Sequence, residues 1–373
     1  MLLTVKVKLL PDAESRRKLL MVMETFNDAC NQTSKIAYET RTYNKYKLQH
    51  TIYHQLRERY NLPAQLAIRA ISKVVESYKV ERKHLHTFDR HGSLTYDQRV
   101  MGFKGLEAVT LTTLEGRVRV PFLFGAYAKL DQRRIRGQAD LIYVRGDFYL
   151  CLVVEQPEEP QLTPEGYLGV DLGVVKLAST SDGVTYSGED TDAVREHYTE
   201  KKAELQGVGS KGSKRKLRKI GGREARFKRD LNHRISKQLV AVAKDTKRGV
   251  ALEDLRGIRA RTTVRRGQRE RLGKWAFNQL RQFVEYKAKI AGVPVLIVDP
   301  RYTSQRCSEC GYVGERNRPS QATFRCRACG YESNADLNAS RNIQWRAAVS
   351  QPIEVCQQGW SLNLKPTPLG VGN

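Results

Sequence analysis

The stretch YLGVDLGVVKLASTSDGVTYS at residues 167–187 decides the fold, since it predicts three short β-strands in succession. Two sets of side chains alternate along its first strand: Leu168, Val170 and Leu172 against Gly169, Asp171 and Gly173. Asp171 therefore lies between two glycines on one face, which leaves room for a metal ion and a phosphate to approach the backbone. The alternative interpretation is an ordinary turn aspartate at the end of a strand.

The elements that follow this stretch complete a recognisable order. A basic helical region runs from about 190 to 247, and RGVALEDL (248–255) predicts a buried strand. A helix over 261–291, a second buried strand at VPVLIVDP (293–300) and a helix starting near Asp336 come next. The order β-β-β-α-β-α-β-α is that of an RNase H-like (RuvC-type) fold, an α/β architecture.

Two further acidic residues stand at notable positions in this order. Glu253 ends the apolar run Val250-Ala251-Leu252, where a carboxylate is costly unless it is paired or bound to a metal. Asp254 faces the other way and is the expected surface or helix-capping acid, although both acids could cap the next helix. Asp336 begins a helix in NADLNASRNI, where it could simply complement the helix dipole.

Together, Asp171, Glu253 and Asp336 predict a phosphodiesterase centre. Hydrolysis by two metals needs a carboxylate cage that holds ions about 3.5–4 Å apart. Mg²⁺ prefers carboxylate, water and substrate oxygens. We therefore expect a Mg²⁺-dependent nuclease with two catalytic ions held by these three acids, and the seven histidines supply no recognisable catalytic pattern.

A cysteine module lies between the last predicted strand and the last helix. Cys307-x2-Cys310 and Cys326-x2-Cys329 are separated by fifteen residues, and a glycine follows each pair. Four thiolates at this spacing predict one tetrahedral, structural Zn²⁺ site. The arginines of this ribbon indicate further phosphate contacts: Arg306, Arg316, Arg318, Arg325 and Arg327.

The N-terminal half has a different pattern. Residues 2–9 and four runs within 92–155 alternate with period two, which predicts a small antiparallel β-barrel that the first strand could join. Helical stripes follow Pro11-Asp12 and Pro63, and their apolar residues are assigned to the core. EQPEEPQLTPEG (155–166) predicts a linker, and the Pro- and Gly-containing tail predicts disorder.

Charge points to a polyanionic partner, because the net charge is +25. Two dense basic runs, 211–229 and 256–274, flank the Glu253 strand and predict a nucleic-acid channel, although such runs are often only solvated faces. The predicted contact residues are Lys211, Lys214, Arg215, Lys216, Arg218, Lys219, Arg223, Arg261, Arg265 and Arg266. No apolar run is long enough to span a membrane, and no signal-peptide core is present. We therefore expect the protein in the prokaryotic cytosol or nucleoid.

The motifs GVDLG, ALEDL, RYTSQRCSECG and FRCRACGYESNADLNA, in this order, resemble TnpB, the transposon-encoded RNA-guided nucleases that are related to compact type V CRISPR effectors. The resemblance covers about 165–345, and the N-terminal half matches in layout only. It implies a noncoding guide RNA, an RNA–DNA heteroduplex in the basic channel and cleavage of both strands of the target DNA by one site. It also implies a catalytic role for Asp171, Glu253 and Asp336 and zinc ligation by the four cysteines.

The expected domains are bounded as follows: a wedge-like barrel at 1–10 and 85–158, a helical recognition insert at 11–84, a linker at 159–166, the nuclease domain at 167–300 and 332–346, the zinc ribbon at 301–331, and a disordered tail at 347–373.

The rival functions are a minimal type V effector, a catalytically silent RNA-guided DNA-binding regulator, and a DNA transposase.

Overall fold

A computed structural model of the chain describes residues 1–105, 107–123, 134–173, 176–187, 189–255 and 277–350. Contacts divide the chain into two units, with the boundary between Pro157 and Glu158. This boundary falls inside the Pro-rich acidic stretch 155–166. Each unit is described by itself below.

The first unit contains a seven-stranded antiparallel sheet. Its strands are β1 (Leu2–Leu9), β2 (Leu94–Tyr96), β3 (Met101–Lys104), β4 (Ala108–Thr113), β5 (Gly116–Leu123), β6 (Ile135–Val144) and β7 (Asp147–Glu155). The order is β2-β6-β7-β1-β5-β4-β3, so the first strand lies in the middle. The hydroxyl of Tyr96, on the edge strand β2, donates at 2.8 Å to the Thr112 carbonyl of β4, the strand next to the other edge strand β3. The predicted antiparallel barrel is confirmed and is nearly closed.

Three helices pack against this barrel. They are α1 (Ala13–Glu39), α2 (Lys45–Tyr60) and α3 (Ala64–Val80). Asp12 caps α1 by accepting from the Ser15 amide at 2.7 Å, as expected for a helix that opens at Pro11-Asp12. Helix α2 was not predicted as a separate helix. Its buried residues are only Leu48, Ile52 and Leu56, a stripe too narrow to stand out among charged neighbours.

The second unit is built on a five-stranded sheet. Its strands are β8 (Tyr167–Asp171), β9 (Lys176–Thr180), β10 (Thr185–Ser187), β11 (Gly249–Glu253) and β12 (Val295–Val298). The order is β10-β9-β8-β11-β12, with antiparallel pairing from β10 to β8 and parallel pairing from β8 to β12. The three strands expected in 167–187 and both later buried strands are therefore present.

Helices cover both faces of this sheet. They are α5 (Lys211–Asp245), α6 (Phe277–Ile290) and α7 (Ala335–Ser350), whereas α4 (Glu189–Val208) packs against α5. On one face, Leu239 of α5 and Val284 of α6 share a core with Val170 of β8. On the other face, Ile343 of α7 packs in a smaller core with Ala251 of β11. The sheet is thus buried on both sides, which explains the nearly continuous apolar character of β8 and β11.

The end of α7 corrects one predicted boundary. Disorder was expected from residue 347, but 347–350 continue the helix, and Ala347 is fully buried. A small alanine packed into the core gives little apolar signal in sequence, so the helix seemed to end early. The remainder of that tail, 351–373, and the first part of the predicted 261–291 helix lie outside the described residues. None of the described helices is both long and apolar enough to cross a membrane.

Candidate carboxylate and cysteine sites

Two of the predicted acids end neighbouring parallel strands. Val170 of β8 is in register with Leu252 of β11, and Asp171 and Glu253 are the next and final residues of those strands. The carboxyl ends of parallel strands meet at one edge of a sheet, where ligands commonly bind in open α/β folds. Strand pairing therefore brings two carboxylates together that are 82 positions apart in sequence.

The third acid, Asp336, is carried to this edge by the first turn of α7. The helix can approach because β8 has no side chain at Gly169: a Cβ there would lie 2.1 Å from the carbonyl oxygen of Ser340. For Gly169, this corrects the interpretation of the glycine as space for a metal and a phosphate. Gly169 accommodates the backbone of α7, and Gly173 faces the carbonyl of Lys176, 2.5 Å from an ideal Cβ.

The three acids line one cavity of about 460 Å³. Its other lining residues are Leu172, Gly173, Lys176, Leu255, Pro300, Thr303, Ser304, Arg318, Gln321, Ala322 and Ala339. Each of the three acids keeps partial access to solvent. A carboxylate-walled cavity of this kind can bind a cationic group while admitting a substrate oxygen.

Burial and mutual repulsion disfavour the ionised forms of two of these acids. Burial raises the pKa of Asp171 to about 8, the charges of Glu253 and Asp336 add to the effect, and Arg318 opposes it. Burial also raises the pKa of Glu253, against a hydrogen bond with the side chain of Thr303. A bound cation would relieve this repulsion, so the electrostatics favour one.

Two cationic side chains approach Asp336 and were not assigned to the centre from sequence. The Lys176 ammonium lies 3.4 Å from Asp336 Oδ2, and an Arg318 guanidinium nitrogen lies 3.7 Å from Oδ1. Arg318 was predicted only as a phosphate contact of the ribbon. Lys176 could have been found from the hairpin: it begins the strand that returns antiparallel beside Asp171.

Asp254 lies apart from the cavity. Its Oδ1 is 3.2 Å from a guanidinium nitrogen of Arg281 on α6, and it is not among the residues that line the cavity. The neighbouring positions 253 and 254 thus point to different surroundings, as side chains of adjacent strand residues do.

Four cysteines form a second centre. The Sγ atoms of Cys307, Cys310, Cys326 and Cys329 all lie within 4.8 Å of one another. Cys307 and Cys329 are 3.7 Å apart, and Cys310 and Cys326 are 3.5 Å apart. Zinc–sulfur bonds of about 2.3 Å in a tetrahedron place sulfurs about 3.8 Å apart, so this donor set fits a metal such as zinc.

Two turns of the same form present these cysteines. Each places a glycine directly after its second cysteine in the left-handed region, Gly311 with φ 78° and Gly330 with φ 74°. The Gly311 amide donates to the Cys307 carbonyl at 3.0 Å, and the Gly330 amide donates to the Cys326 carbonyl at 3.1 Å. Glycine is the residue that adopts this conformation without a steric penalty.

Helix α7 connects the cysteine centre with the carboxylates. Asn338 Oδ1 accepts from the Ser308 amide at 2.9 Å, and its Nδ2 donates to the Arg306 carbonyl at 2.8 Å. Asn342 donates to the Thr303 carbonyl at 2.9 Å. The first cysteine turn is therefore bonded to the helix that carries Asp336, and both asparagines are buried.

The first predicted basic run lies on α5, and its seven predicted contact residues are exposed: Lys211, Lys214, Arg215, Lys216, Arg218, Lys219 and Arg223. The one acid within 211–229, Glu224, is buried and paired with Lys228 at 2.8 Å and with Lys202. The exposed surface of this run is therefore basic. Arg261, Arg265 and Arg266 of the second run lie outside the described residues.

Two family models match the second half of the chain. Residues 150–256 match a family described as "Probable transposase", and residues 277–343 match one described as "Cas12f1-like, TNB domain". The first match contains Asp171 and Glu253, and the second contains Asp336 and all four cysteines.

Curated relatives carry nuclease names. The chain is 47% identical over 120 residues to "CRISPR-associated endodeoxyribonuclease Cas12f1" of Sulfoacidibacillus thermotolerans, a match that covers 32% of this chain and 27% of that protein. It is 27% identical over 338 residues to "Putative RNA-guided DNA endonuclease InsQ" of Escherichia coli K12, which covers 82% of this chain and 80% of that one. The chain therefore spans about a quarter of the first relative and most of the second.

A solved structure has a similar fold. The Cas12f1 chain in a cryo-EM structure of a Cas12f1–sgRNA–target DNA complex superposes with a TM-score of 0.62 at 16% identity, covering 89% of this chain and 83% of that chain. At this identity the likeness concerns the fold.

Proposed function

We propose that this chain, which is a relative of the TnpB-like and Cas12f proteins, is an RNA-guided DNA endonuclease. The observation that carries the proposal is the meeting of Asp171, Glu253 and Asp336 around one cavity. Acids from two strands and a distant helix converge there, although each has an ordinary structural explanation when taken alone. The names of the relatives support DNA as the substrate and RNA as the guide.

The strand order of the second unit supports an RNase H-like fold of the RuvC type. A three-stranded antiparallel segment, β10-β9-β8, continues into the parallel strands β11 and β12, and the two strand-borne acids end the central pair. We retain the expected domain arrangement as part of the proposal, with the barrel as a wedge-like domain and α1–α3 as a recognition insert.

The carboxylate cavity fits Mg²⁺ by donor chemistry, because its acids offer oxygen ligands to a hard cation. The carboxylate oxygens of the three acids do not all lie within 4.8 Å of one another. Among the described residues, the four cysteines form the group whose ligand atoms lie that close together. A two-metal centre would draw its ligands from more widely spaced carboxylates than a single ion would. We therefore propose Asp171, Glu253 and Asp336 as the ligands of two Mg²⁺ ions.

Bound Mg²⁺ would supply Lewis-acid stabilisation of the attacking and leaving oxygens during hydrolysis. The side chains of the cavity orient the reactants. Lys176 and Arg318 lie next to Asp336. The non-bridging oxygens of a phosphate bound there would add negative charge beside that carboxylate. Lys176 and Arg318 stabilise that charge as the water oxygen forms its bond to phosphorus and the bond to the bridging oxygen breaks.

The four cysteines are proposed to bind one structural Zn²⁺ ion. A closed four-thiolate site has no open coordination position and so takes no part in the chemistry. Its function is to fix the ribbon against α7, through Asn338 and Asn342, and thereby to hold Asp336 at the edge of the sheet.

A noncoding guide RNA and target DNA are the proposed partners. Seven exposed cations on α5 and a net charge of +25 suit polyanions of either kind. Guided recognition assigns sequence reading to base pairing, and the protein reads backbone shape and a short DNA motif beside the target.

The test is expression of the chain with its native flanking DNA, followed by sequencing of the RNA that copurifies. Guide-matched DNA should be cut in Mg²⁺, and a changed guide should redirect the cut without any change in the protein. Efficient cutting by RNA-free protein regardless of sequence would leave a plain nuclease in place of this proposal.

One observation favours a second candidate. The family model over residues 150–256 is described as a transposase, and DNA strand transfer uses a similar carboxylate cavity. The products separate the two, because hydrolysis yields cut ends and strand transfer yields joined DNA. Guided binding of matched DNA with no product of either kind would instead indicate a silent regulator.

A further inference from the structure

We propose that Trp345, backed by Arg306, is a stacking surface for the bases of a single-stranded stretch of the DNA strand that enters the carboxylate cavity. The inference rests on the proposed nuclease function and adds to it a surface that recognises unpaired bases. No base-contacting residue was expected from the sequence.

Trp345 is held as an exposed platform. It lies on α7, two and a half turns (about 13 Å along the axis) after Asp336, and therefore leaves the helix on the side that faces the cysteine ribbon rather than on the side of Asp336. The Arg306 guanidinium lies 3.7 Å from the centroid of its ring and so covers one face. Arg306 also donates to Asn342 Oδ1 at 2.9 Å, which fixes the guanidinium. The tryptophan is nevertheless 45% exposed, so much of the ring stays open.

The turn that supplies Arg306 also forms part of the cavity wall. Thr303 and Ser304 line the cavity, and the Arg306 amide donates to the Tyr302 carbonyl at 2.9 Å. Tyr302 has φ 61° and is 59% exposed. A left-handed backbone is unfavourable for a bulky residue and is enriched at functional sites. One short turn therefore carries two cavity-lining residues, an exposed tyrosine and the guanidinium under Trp345.

The charge around this surface favours a nucleic acid over a protein. The segment 299–350, which supplies this surface, contains no lysine and has eight arginines against five acids, a net excess of three positive charges. Four of the arginines pair with acids of the same segment: Arg301, Arg318, Arg325 and Arg341. Arginine binds phosphates in a bidentate manner and stacks on aromatic rings. Aromatic rings beside arginines are the usual surface for unpaired bases, since every base has a flat face to stack. A base within a duplex is already stacked on its neighbours, so the partner must be single-stranded.

The test uses the full, RNA-loaded chain with Trp275→Phe and Trp360→Phe, which leaves Trp345 as the single tryptophan of three. The probe is guide-matched target DNA whose strands are unpaired at the mapped cut position, prepared with normal or with abasic nucleotides there. The normal DNA should quench Trp345 fluorescence and the abasic DNA should not, although both offer the same phosphates. Equal quenching by both overturns the proposal.

Variants give a second readout. Trp345→Ala should weaken binding of the unpaired DNA by roughly 10-fold or more, the effect of losing one stacked base. Trp345→Phe should restore most of the binding, because it keeps a flat ring. Val349→Ala is the matched control, since Val349 is exposed one turn further along α7 and has no ring. Wild-type affinity of Trp345→Ala overturns the proposal. Zinc content and melting temperature identify a misfolded variant, and the comparison of fluorescence quenching by normal and by abasic DNA then carries the test.

Two outcomes distinguish this inference from the nuclease proposal and from a different occupant of the Trp345 surface. If wild-type protein does not cut guide-matched DNA, the nuclease proposal fails, and fluorescence quenching by single-stranded DNA with normal or with abasic nucleotides still tests the platform. If truncation after Ser350 raises the quenching of Trp345 by acrylamide several-fold, the tail of the chain is the occupant and the DNA-stacking inference is overturned.

Discussion

Gly169 of β8 lies against the backbone of α7, with the position of an ideal Cβ only 2.1 Å from the carbonyl oxygen of Ser340. The helix that carries Asp336 thus rests on the strand that ends in Asp171. The missing side chain at residue 169 sets the distance between two acids of the proposed centre.

Gly169→Ala should therefore displace α7 and separate Asp336 from Asp171. Overpacking against a rigid backbone costs about 1–3 kcal/mol of unfolding free energy, and more where nothing can shift. We expect a lower melting temperature and at least a 100-fold loss of cleavage rate. Gly207→Ala in α4 is the control, because nothing lies within 4 Å of its added Cβ. Equal cleavage by both variants would show that the close approach is not needed.

Removal of any one acid should stop cleavage while leaving DNA binding nearly unchanged. Asp171→Ala, Glu253→Gln and Asp336→Ala each remove a proposed metal ligand without altering the exposed cations of α5. Gel-shift and cleavage assays on the same RNA-loaded samples separate the two effects, and we expect a rate loss of 1000-fold or more.

Asp254→Asn is the matched control for the acids. It removes a carboxylate next to Glu253 that pairs with Arg281 away from the cavity. A partly exposed ion pair contributes less than about 1 kcal/mol, so cleavage should stay within about 2-fold of wild type. An inactive Asp254→Asn variant, with an active Glu253→Gln variant, would reverse the choice of acid.

The sequence was sufficient to identify the strands of the five-stranded sheet, since β8, β11 and β12 are apolar runs of strand length with acids at or directly after their ends. It was less informative where a contact is made by backbone. Gly169 in a strand indicates a close approach, but nothing in the sequence says that the approaching group is the backbone of α7. From the sequence alone, a metal ion and a helix backbone were equally good explanations for the absence of a side chain at residue 169.

Side chains that reach the site through strand pairing were also hard to identify from the sequence. Lys176 approaches Asp336 because β9 returns beside β8 and α7 lies over both, a relation between three segments. Helix α2 was overlooked for a different reason: its three buried residues recur every fourth position among charged and aromatic neighbours. The first case depends on tertiary contacts that no single-segment pattern contains, and the second on a pattern too sparse to stand out.

Lys176→Met should make Mg²⁺ bind more tightly while slowing cleavage. The lysine ammonium lies 3.4 Å from Asp336 Oδ2, where it repels a cation and competes for the carboxylate. Its removal should lower the half-saturating Mg²⁺ concentration, and the maximal rate should fall about 10-fold because phosphate charge loses a stabilising partner. Lys176→Arg keeps the charge and serves as the control. A higher Mg²⁺ requirement in Lys176→Met would contradict this role.

The purified chain should contain one zinc per molecule, bound by four thiolates. Cys326→Ser should release the metal, loosen the ribbon from α7 and lower the cleavage rate at least 10-fold, because Asp336 follows the second cysteine pair by only seven residues. Cys151→Ser on β7 is the control, since Cys151 lies outside the cysteine centre. Elemental analysis without zinc, together with full activity after chelation, would refute the assignment.

The basic run on α5 leads to a prediction about salt. Lys214, Arg215 and Arg218 are exposed, and each phosphate contact to duplex nucleic acid steepens the fall of log K with log salt by about 0.9. Substitution of all three by glutamine should reduce that slope by about 2.7 if each contacts a duplex phosphate. The measurement is the affinity for the copurifying RNA at several salt concentrations.

A second triple variant distinguishes position from net charge. Lys237→Gln, Lys244→Gln and Lys247→Gln remove the same charge from exposed positions at and beyond the C-terminal part of α5. Long-range attraction depends on total charge and is strongly screened beyond about 8 Å at physiological salt, whereas direct contacts are local. The slope should therefore change in the first triple variant and stay near the wild-type value in the second. Equal slopes in the two variants would mean that the run 211–229 is a solvated helix face and that the RNA is bound elsewhere on the chain.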